Sequence, residues 1–280
     1  MHGTDPIIQP PLKWHGGKHY LADWIIRQMP PHVHYVEPFA GGLAVLLRKP
    51  CEGVSEVVND IDADLSNFWR VLQRPDCFER FNRLCQSTPF SDVEYRKASA
   101  QLHDISDDPE LAAWIFFIRC RQSRQGLRKD FATLSRNRTR RGMNEQASAW
   151  WTAVDGLEEV YHRLRRVVIL NDDACKVIRQ QDGPNTCFYL DPPYLHETRV
   201  TTGDYAHEMT ADQHRELLET LAGIKGKFLL SGYRSELYDD FARLWQWSRV
   251  ERQIDCKASS KSVKEQRTEV LWMNYDTEQS

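Results

Sequence analysis

The chain has 280 residues, 41% of them hydrophobic and 28% charged, with a formal net charge of −3. These values describe a folded globular protein rather than a disordered one, with length enough for one large α/β domain carrying an inserted or appended module. The slightly acidic balance excludes a uniformly basic polyanion binder. The longest apolar run, residues 111–118, falls far short of the roughly 20 residues that cross a membrane. Residues 1–11 lack the apolar core of a secretory signal, so a cytoplasmic protein without membrane contact is expected. Seven scattered cysteines form no CxxC pair, which suggests neither a disulfide framework nor a zinc site. No metal is expected.

In chain order, Lys13-Trp14-His15-Gly16-Gly17-Lys18 precedes an amphipathic stretch, 20–29, that predicts a helix. Its cations, aromatic ring and glycines suit covering a nucleoside and touching phosphate. A helix start with a packing tryptophan is the plainer alternative. Residues 35–37 predict a strand broken by Pro38, and 40–49 a helix stopped by Pro50. Between them, Glu37-Pro38-Phe39-Ala40-Gly41-Gly42 reads either as a turn whose glycines admit a ligand close to the backbone or as a tight strand-to-helix connection. Residues 55–59 predict a second strand ending at Asn59-Asp60. An acid at that place accepts hydrogen bonds from ribose hydroxyls. Asp60 and Asp62 also precede a helix and suit an N-cap.

The stretch 70–165 has helical patterns at 79–85, 92–102 and 110–119 and no buried-strand candidate. Between Arg119 and Arg141 it carries nine basic residues, Arg119, Arg121, Arg124, Arg128, Lys129, Arg136, Arg138, Arg140 and Arg141, against the single acid Asp130. Such a segment binds a polyanion locally. Beyond it, strands are predicted at 167–170, 187–190 and 228–230, with helices from 174 and over 211–222. Residues 248–252 and 269–274 predict an antiparallel hairpin around a Lys/Ser-rich loop at 257–264. The alternation implies a doubly wound, mainly parallel α/β sheet, 1–69 with 166–280, interrupted by a mainly helical insertion, 70–165.

Asp191-Pro192-Pro193-Tyr194 closes the predicted strand at 187–190. By average composition this tetrapeptide arises in on the order of one chain in a thousand of this length. Two prolines stiffen the loop and contribute no N–H donors. A carboxylate, bare carbonyls and an aromatic face then complement an aromatic amine, with its NH2 on the acceptors and its ring on the tyrosine.

In their order, Lys13–Lys18, Glu37–Gly42, Asn59-Asp60 and Asp191–Tyr194 resemble the Dam-type DNA adenine-N6 methyltransferases, with weaker support from Asn171-Asp172-Asp173-Ala174 and Leu230-Ser231-Gly232-Tyr233. The resemblance spans nearly the whole chain. It implies a Rossmann-like methyltransferase sheet and S-adenosylmethionine as methyl donor. Trp14, Lys18, Asp60 and Asp191 would contact the donor. Glu37, Phe39 and Gly41 would surround its methionine portion, and Asp173 with Ala174 its adenine ring. Asp191, Pro192 and Tyr194 become the catalytic loop. The inserted segment becomes a target-recognition region for double-stranded DNA, with Lys13, Arg121, Arg124, Lys129, Arg138, Arg140 and Arg141 as contacts. No obligate protein partner is implied, and restriction–modification, phage and regulatory settings all suit the family. Arg121–Leu127 lacks the aromatic residue of many relatives, so GATC is not carried over as the target. Cytosine-N4 and ribosomal-RNA adenine enzymes share the loop chemistry, but the former more often begin it with Ser. A non-catalytic DNA-binding descendant is the alternative of another class, against which the intact Asp60, Asp191 and Tyr194 count.

Overall fold

Thr186–Leu190 (β6) is buried at all five positions, as a parallel strand covered on both faces requires. It belongs to a computed structural model that describes residues 8–101, 107–195, 208–255 and 266–277. Two compact units make up the chain. One comprises Met1–Asp23, Gly41–Cys51 and Asp62–Asn171; the other comprises Trp24–Ala40, Glu52–Ile61 and Asp172–Ser280.

The second unit holds His34–Glu37 (β1), Ser55–Asn59 (β2), β6, Lys227–Gly232 (β7), Ser248–Asp255 (β8) and Gln266–Met273 (β9). They run in the order β2-β1-β6-β7-β9-β8. The pairs β1–β2, β1–β6 and β6–β7 are parallel, with Val36 opposite both Val57 and Phe188. β9 is antiparallel to β7 and to β8. The expected mixed α/β architecture is therefore present, with a mostly parallel sheet and a C-terminal antiparallel hairpin. The chain leaves β1 outward to β2 and later returns to β6 on the other side of β1, so strand order reverses between β1 and β6. Open α/β sheets bind ligands beyond the carboxyl ends of their strands at such a reversal.

Helices Ala174–Gln181 (α8) and Ala211–Ala222 (α9) begin where the sequence predicts, because each has a cap. The Asp173 carboxylate accepts from the Lys176 N–H at 2.8 Å. Thr210 and Gln213 form a reciprocal capping box. Glu236–Leu244 (α10), capped by Ser235, was not anticipated. β8 runs three residues past its predicted end, β9 begins three residues before its predicted start and ends one short, and the loop expected at 257–264 lies outside the described residues.

The first unit is built on Pro109–Gln122 (α5). Its sequence is apolar nearly all round, so it is buried on most sides, with Ala113, Ile115, Phe116, Phe117, Ile118 and Cys120 inside. Ala63–Gln73 (α2) brings Phe68 onto it, stacked on Phe117 at 5.8 Å and 12°. Pro75–Gln86 (α3), Asp92–Ala100 (α4), Glu145–Asp155 (α6) and Leu157–Leu164 (α7) complete the helices, and Val167–Leu170 (β5) follows them. Thr139–Arg140 (β3) and Met143–Asn144 (β4) form a short hairpin. Its loop residues Arg141 and Gly142 have φ of 55° and 74°, the left-handed pair that a two-residue turn needs to match strand twist.

Two expectations are corrected. The helix expected over 20–29 is shorter, Ala22–Gln28 (α1). The one expected over 40–49 is absent: residues 41–48 form successive turns. Gly41 and Leu43 both lie in the left-handed region, at φ of 47° and 54°, which interrupts a right-handed ladder before it is one turn long. The short-range bonds that remain, such as Leu47 N–H to the Leu43 carbonyl at 3.0 Å, start only after that interruption.

Candidate active site

In the sheet-bearing unit, the ends of β1 and β2 and the loop before α8 are joined by one buried amide. Asn59 Nδ2 donates to the Pro38 and Asp172 carbonyls, each at 3.0 Å, while its Oδ1 accepts from the Asp172 N–H at 2.9 Å. The Ala40 N–H adds a bond to the Asn59 carbonyl at 2.8 Å. Glu37 is buried and accepts from the Tyr35 hydroxyl at 2.7 Å. Burial, with Glu37 alongside, pushes the Tyr35 phenol well above its ordinary range. Phe39 and Asp60 are half-buried at these strand ends. The α2 cap belongs to Asp62, whose carboxylate accepts from the Asp64 and Leu65 N–H groups; Asp60 does not have that task. Asp173 caps α8 and is exposed, and Ala174 beside it is half-buried. The sequence assigned roles to Asp60 and Asp173 and named Asn59 only as part of the Asn59-Asp60 pair, with no role for its amide, whose bonds reach across 113 residues.

Asp191 follows β6 directly and is half-buried, with Pro192 buried behind it. Tyr194 is buried. Its hydroxyl donates to the Glu269 carboxylate on β9 and lies 3.3 Å from Ser231 Oγ on β7. Ser231 Oγ donates to the same Glu269 oxygen at 2.6 Å. The Tyr233 ring meets Tyr194 edge-on, centroids 4.7 Å apart at 73°, and the Arg267 guanidinium lies 5.4 Å from the Tyr233 centroid. Burial, followed by the Asp191 and Glu269 carboxylates, holds the Tyr194 phenol well above its ordinary range. It is therefore a neutral donor at physiological pH. Chemically, the loop offers a carboxylate, proline carbonyls and an aromatic ring.

In the helical unit, the two glycines of the 37–42 turn prove to be a seat for Trp14. A Cβ on Gly41 would come within 2.8 Å of Trp14 Nε1, and one on Gly42 within 2.9 Å of Trp14 Cβ. Trp69 Nε1 donates to the Gly41 carbonyl at 3.2 Å. Phe116 lies 6.5 Å from Trp14 between centroids. The Arg128 guanidinium covers both rings, at 5.7 and 5.2 Å, and reaches Asp62 at 3.7 Å. Lys18 is buried and donates to the Gly16 carbonyl at 3.0 Å.

The basic segment divides in two. Arg119 donates to the Arg128 carbonyl, and Arg121 is drawn inward, donating to the Ala149 carbonyl at 2.5 Å. Burial brings the Arg121 guanidinium down to about 10. Lys13 sits beside it, 3.4 Å from the Ser123 carbonyl and 3.5 Å from Gln146 Oε1. Burial first, then Arg121, brings the Lys13 ammonium down to about 8. By contrast Arg124, Lys129, Arg136, Arg138, Arg140 and Arg141 are exposed, the last three on or beside the β3–β4 hairpin. Arg119 and Arg121 are half-buried and turned inward onto backbone carbonyls, which a count of charges along the chain does not reveal.

Among the described residues, no helix is long and apolar enough to cross a membrane. The chain matches the D12 class N6 adenine-specific DNA methyltransferases over residues 14–255. It is 26% identical to a DNA N-6-adenine-methyltransferase of Escherichia phage P1 over 267 residues, 90% of this chain but 34% of that protein. The chain thus spans about a third of the length of the phage protein. A DNA adenine methylase of Haemophilus influenzae is 28% identical over 78% of this chain and 75% of its own length. The Type II methyltransferase M.MjaIII of Methanocaldococcus jannaschii is 25% identical over 96% and 99% respectively. With the match covering most of its length, the chain belongs to the D12 class of N6 adenine-specific DNA methyltransferases.

Proposed function

We propose that Asp191, Pro192 and Tyr194 carry methyl transfer from S-adenosylmethionine to N6 of an adenine turned out of double-stranded DNA. The observation that supports this most is the acceptor-rich loop at the end of β6, beside the strand-order reversal, with a buried aromatic ring at its close. The lone pair of adenine N6 is delocalised into the ring and is a poor nucleophile. The Asp191 carboxylate and the Pro192 carbonyl accept hydrogen bonds from its two N–H groups, which favours a more tetrahedral and more reactive nitrogen, and the proton that N6 sheds on gaining the methyl group leaves by way of the Asp191 carboxylate. Tyr194 stacks on the base, offsetting a flipping cost of a few kcal/mol. Positioning and a charge-complementary site supply the rest of the acceleration.

The residues at the strand ends fit a cationic donor with ribose hydroxyls. Glu37, Asp60, Asp173 and Asp191 form an acidic set, and Asp60 stands at the end of β2 with capping left to Asp62. When bound, S-adenosylmethionine supplies an electrophilic methyl group. We assign Glu37, Phe39, Asp60, Asp173, Ala174 and Asp191 to holding it, and from the resemblance Trp14, Lys18 and Gly41. We assign residues 70–165 to target recognition, with Lys13, Arg124, Lys129, Arg138, Arg140 and Arg141 as DNA contacts. Arg121, grouped with them by the sequence, donates inward to the Ala149 carbonyl and disfavours the charged form of Lys13 beside it. The bacterial, archaeal and phage relatives favour a cytoplasmic enzyme of a restriction–modification or phage setting.

The test is methylation of plasmid DNA with labelled donor, followed by nucleoside analysis, for wild type and Asp191→Ala. Wild type yields N6-methyladenine. The variant yields none while keeping its melting temperature, and normal turnover by it would sink the mechanism.

A further inference from the structure

The contacts of Tyr194 single out a residue that none of the motifs contains. We infer that Glu269 is a positioning residue for methyl transfer: together with Ser231 it tethers the Tyr194 phenol and so fixes the plane of the ring on which the target base stacks. The inference rests on the stacking role proposed for Tyr194.

Glu269 is 1% exposed and Ser231 is fully buried. A carboxylate is costly to bury unless hydrogen bonds compensate it. Here one oxygen, Oε1, receives both the Tyr194 hydroxyl and Ser231 Oγ, the latter at 2.6 Å. The tether has little freedom to move. β9 is paired on both sides, to β7 and β8, with Glu269 in register opposite Arg252. Ser231 lies on β7, itself paired to β6 and β9. On the other side, Pro192 and Pro193 restrict the backbone before Tyr194. Side-chain rotation is the main freedom left to the ring, and a phenol held at its far end removes much of that. Tyr233, edge-on at 4.7 Å, braces the same ring. Sheet and loop therefore present a fixed aromatic surface, and a fixed surface orders the acceptor before reaction.

The experiment uses the full-length enzyme, labelled donor and plasmid DNA. Tyr194→Phe keeps the ring and removes the tether; Glu269→Gln keeps the side-chain shape and removes the charged acceptor. Each lowers kcat by about tenfold, the size of a hydrogen bond to a charged group expressed in the transition state. KM for the donor stays within about twofold, since the tether acts on the base and not on the donor. The double variant is no slower than the slower single one, because both remove the same interaction. Wild-type kcat in Tyr194→Phe, or losses that multiply in the double variant, overturns the inference. Ser231→Ala paired with Tyr194→Phe gives the same cycle if Glu269→Gln does not fold. Tyr194→Ala separates the two levels. Full activity there removes the stacking role itself, whereas an inactive Tyr194→Ala beside fully active Tyr194→Phe and Glu269→Gln removes only the tether.

Discussion

Asn59 grips Asp172 by both ends of its amide, donating from Nδ2 to the carbonyl at 3.0 Å and accepting the backbone N–H at Oδ1 at 2.9 Å. The second Nδ2 hydrogen goes to Pro38 at 3.0 Å. One side chain on β2 thus sets the spacing of the turn after β1, which begins next to Glu37, and the loop before α8, which carries Asp173. Asn59→Ala leaves buried backbone groups without partners, and a loss of about 3 kcal/mol in unfolding free energy is expected. Donor affinity is expected to fall as well, because Glu37 and Asp173, two acids proposed to hold the donor, lose their common reference. Urea denaturation and calorimetric donor titration read the two effects. Unchanged donor affinity would separate Asn59 from the donor site.

The seat of Trp14 makes a second prediction. Gly42→Ala places a Cβ 2.9 Å from Trp14 Cβ, a distance at which backbone or ring must shift. Gly41→Ala adds a left-handed φ of 47° to a 2.8 Å approach. Both variants lose stability, Gly41→Ala more, by about 1–3 kcal/mol. Trp14→Ala removes the ring that a Cβ on Gly41 would meet but keeps the Trp14 Cβ that faces Gly42, so Gly41→Ala costs less in that background than alone. Equal costs in both backgrounds would show that the glycine serves something other than the ring.

What the sequence made legible was local. β6 announced itself as an apolar run closed by Asp191 and two prolines, and α8 and α9 begin at the residue after their caps because Asp173 and Thr210 each act on the N–H group three residues on. The turns at 41–48 were not legible, since Leu43 adopts its left-handed conformation in a segment shaped by Trp14, nearly thirty residues earlier in the chain. The bridging role of Asn59, and Glu269 altogether, escaped for the same reason: their partners lie 113 and 75 residues away. The β3–β4 hairpin has no apolar alternation to betray it, because both β3 residues are exposed. Arg121 looked like one more surface charge in a basic run until its burial set it apart.

Lys13 gives a pH dependence with a definite sign. Its ammonium titrates at about 8 in the folded protein against an ordinary 10.5, through burial and then through Arg121. Between those values the unfolded chain holds more protons, so unfolding free energy rises with pH across the window. Below about pH 8 the full penalty of the buried cation is present. Lys13→Met removes this slope and is the more stable protein at neutral pH. Its DNA affinity is lower at neutral pH, and the difference from wild type shrinks as pH rises through 8 because the wild-type charge is lost. Denaturation and DNA titration at two pH values, one on each side of that midpoint, measure both trends. A stability slope retained in Lys13→Met would assign it to another group.

The exposed arginines of the hairpin are the clearest test of where DNA binds. Arg138 meets Glu145 at 3.8 Å, and Arg141 meets Asp155 at 3.4 Å and Thr152 Oγ1 at 3.2 Å. These are exposed pairs, which contribute little to folding, so replacing Arg138, Arg140 and Arg141 by Gln leaves the melting temperature close to wild type. Phosphate contacts behave differently. Each neutralised phosphate releases counterions, and losing three contacts flattens the logarithmic salt dependence of binding by up to about 3 units. Affinity for plasmid DNA at low salt falls, while donor binding in the absence of DNA is unaffected. The inward Arg121 supplies the contrast: Arg121→Gln lowers stability without the same change in salt slope, because its guanidinium faces the Ala149 carbonyl rather than solvent. A triple variant with the wild-type salt slope would move the DNA interface away from the hairpin.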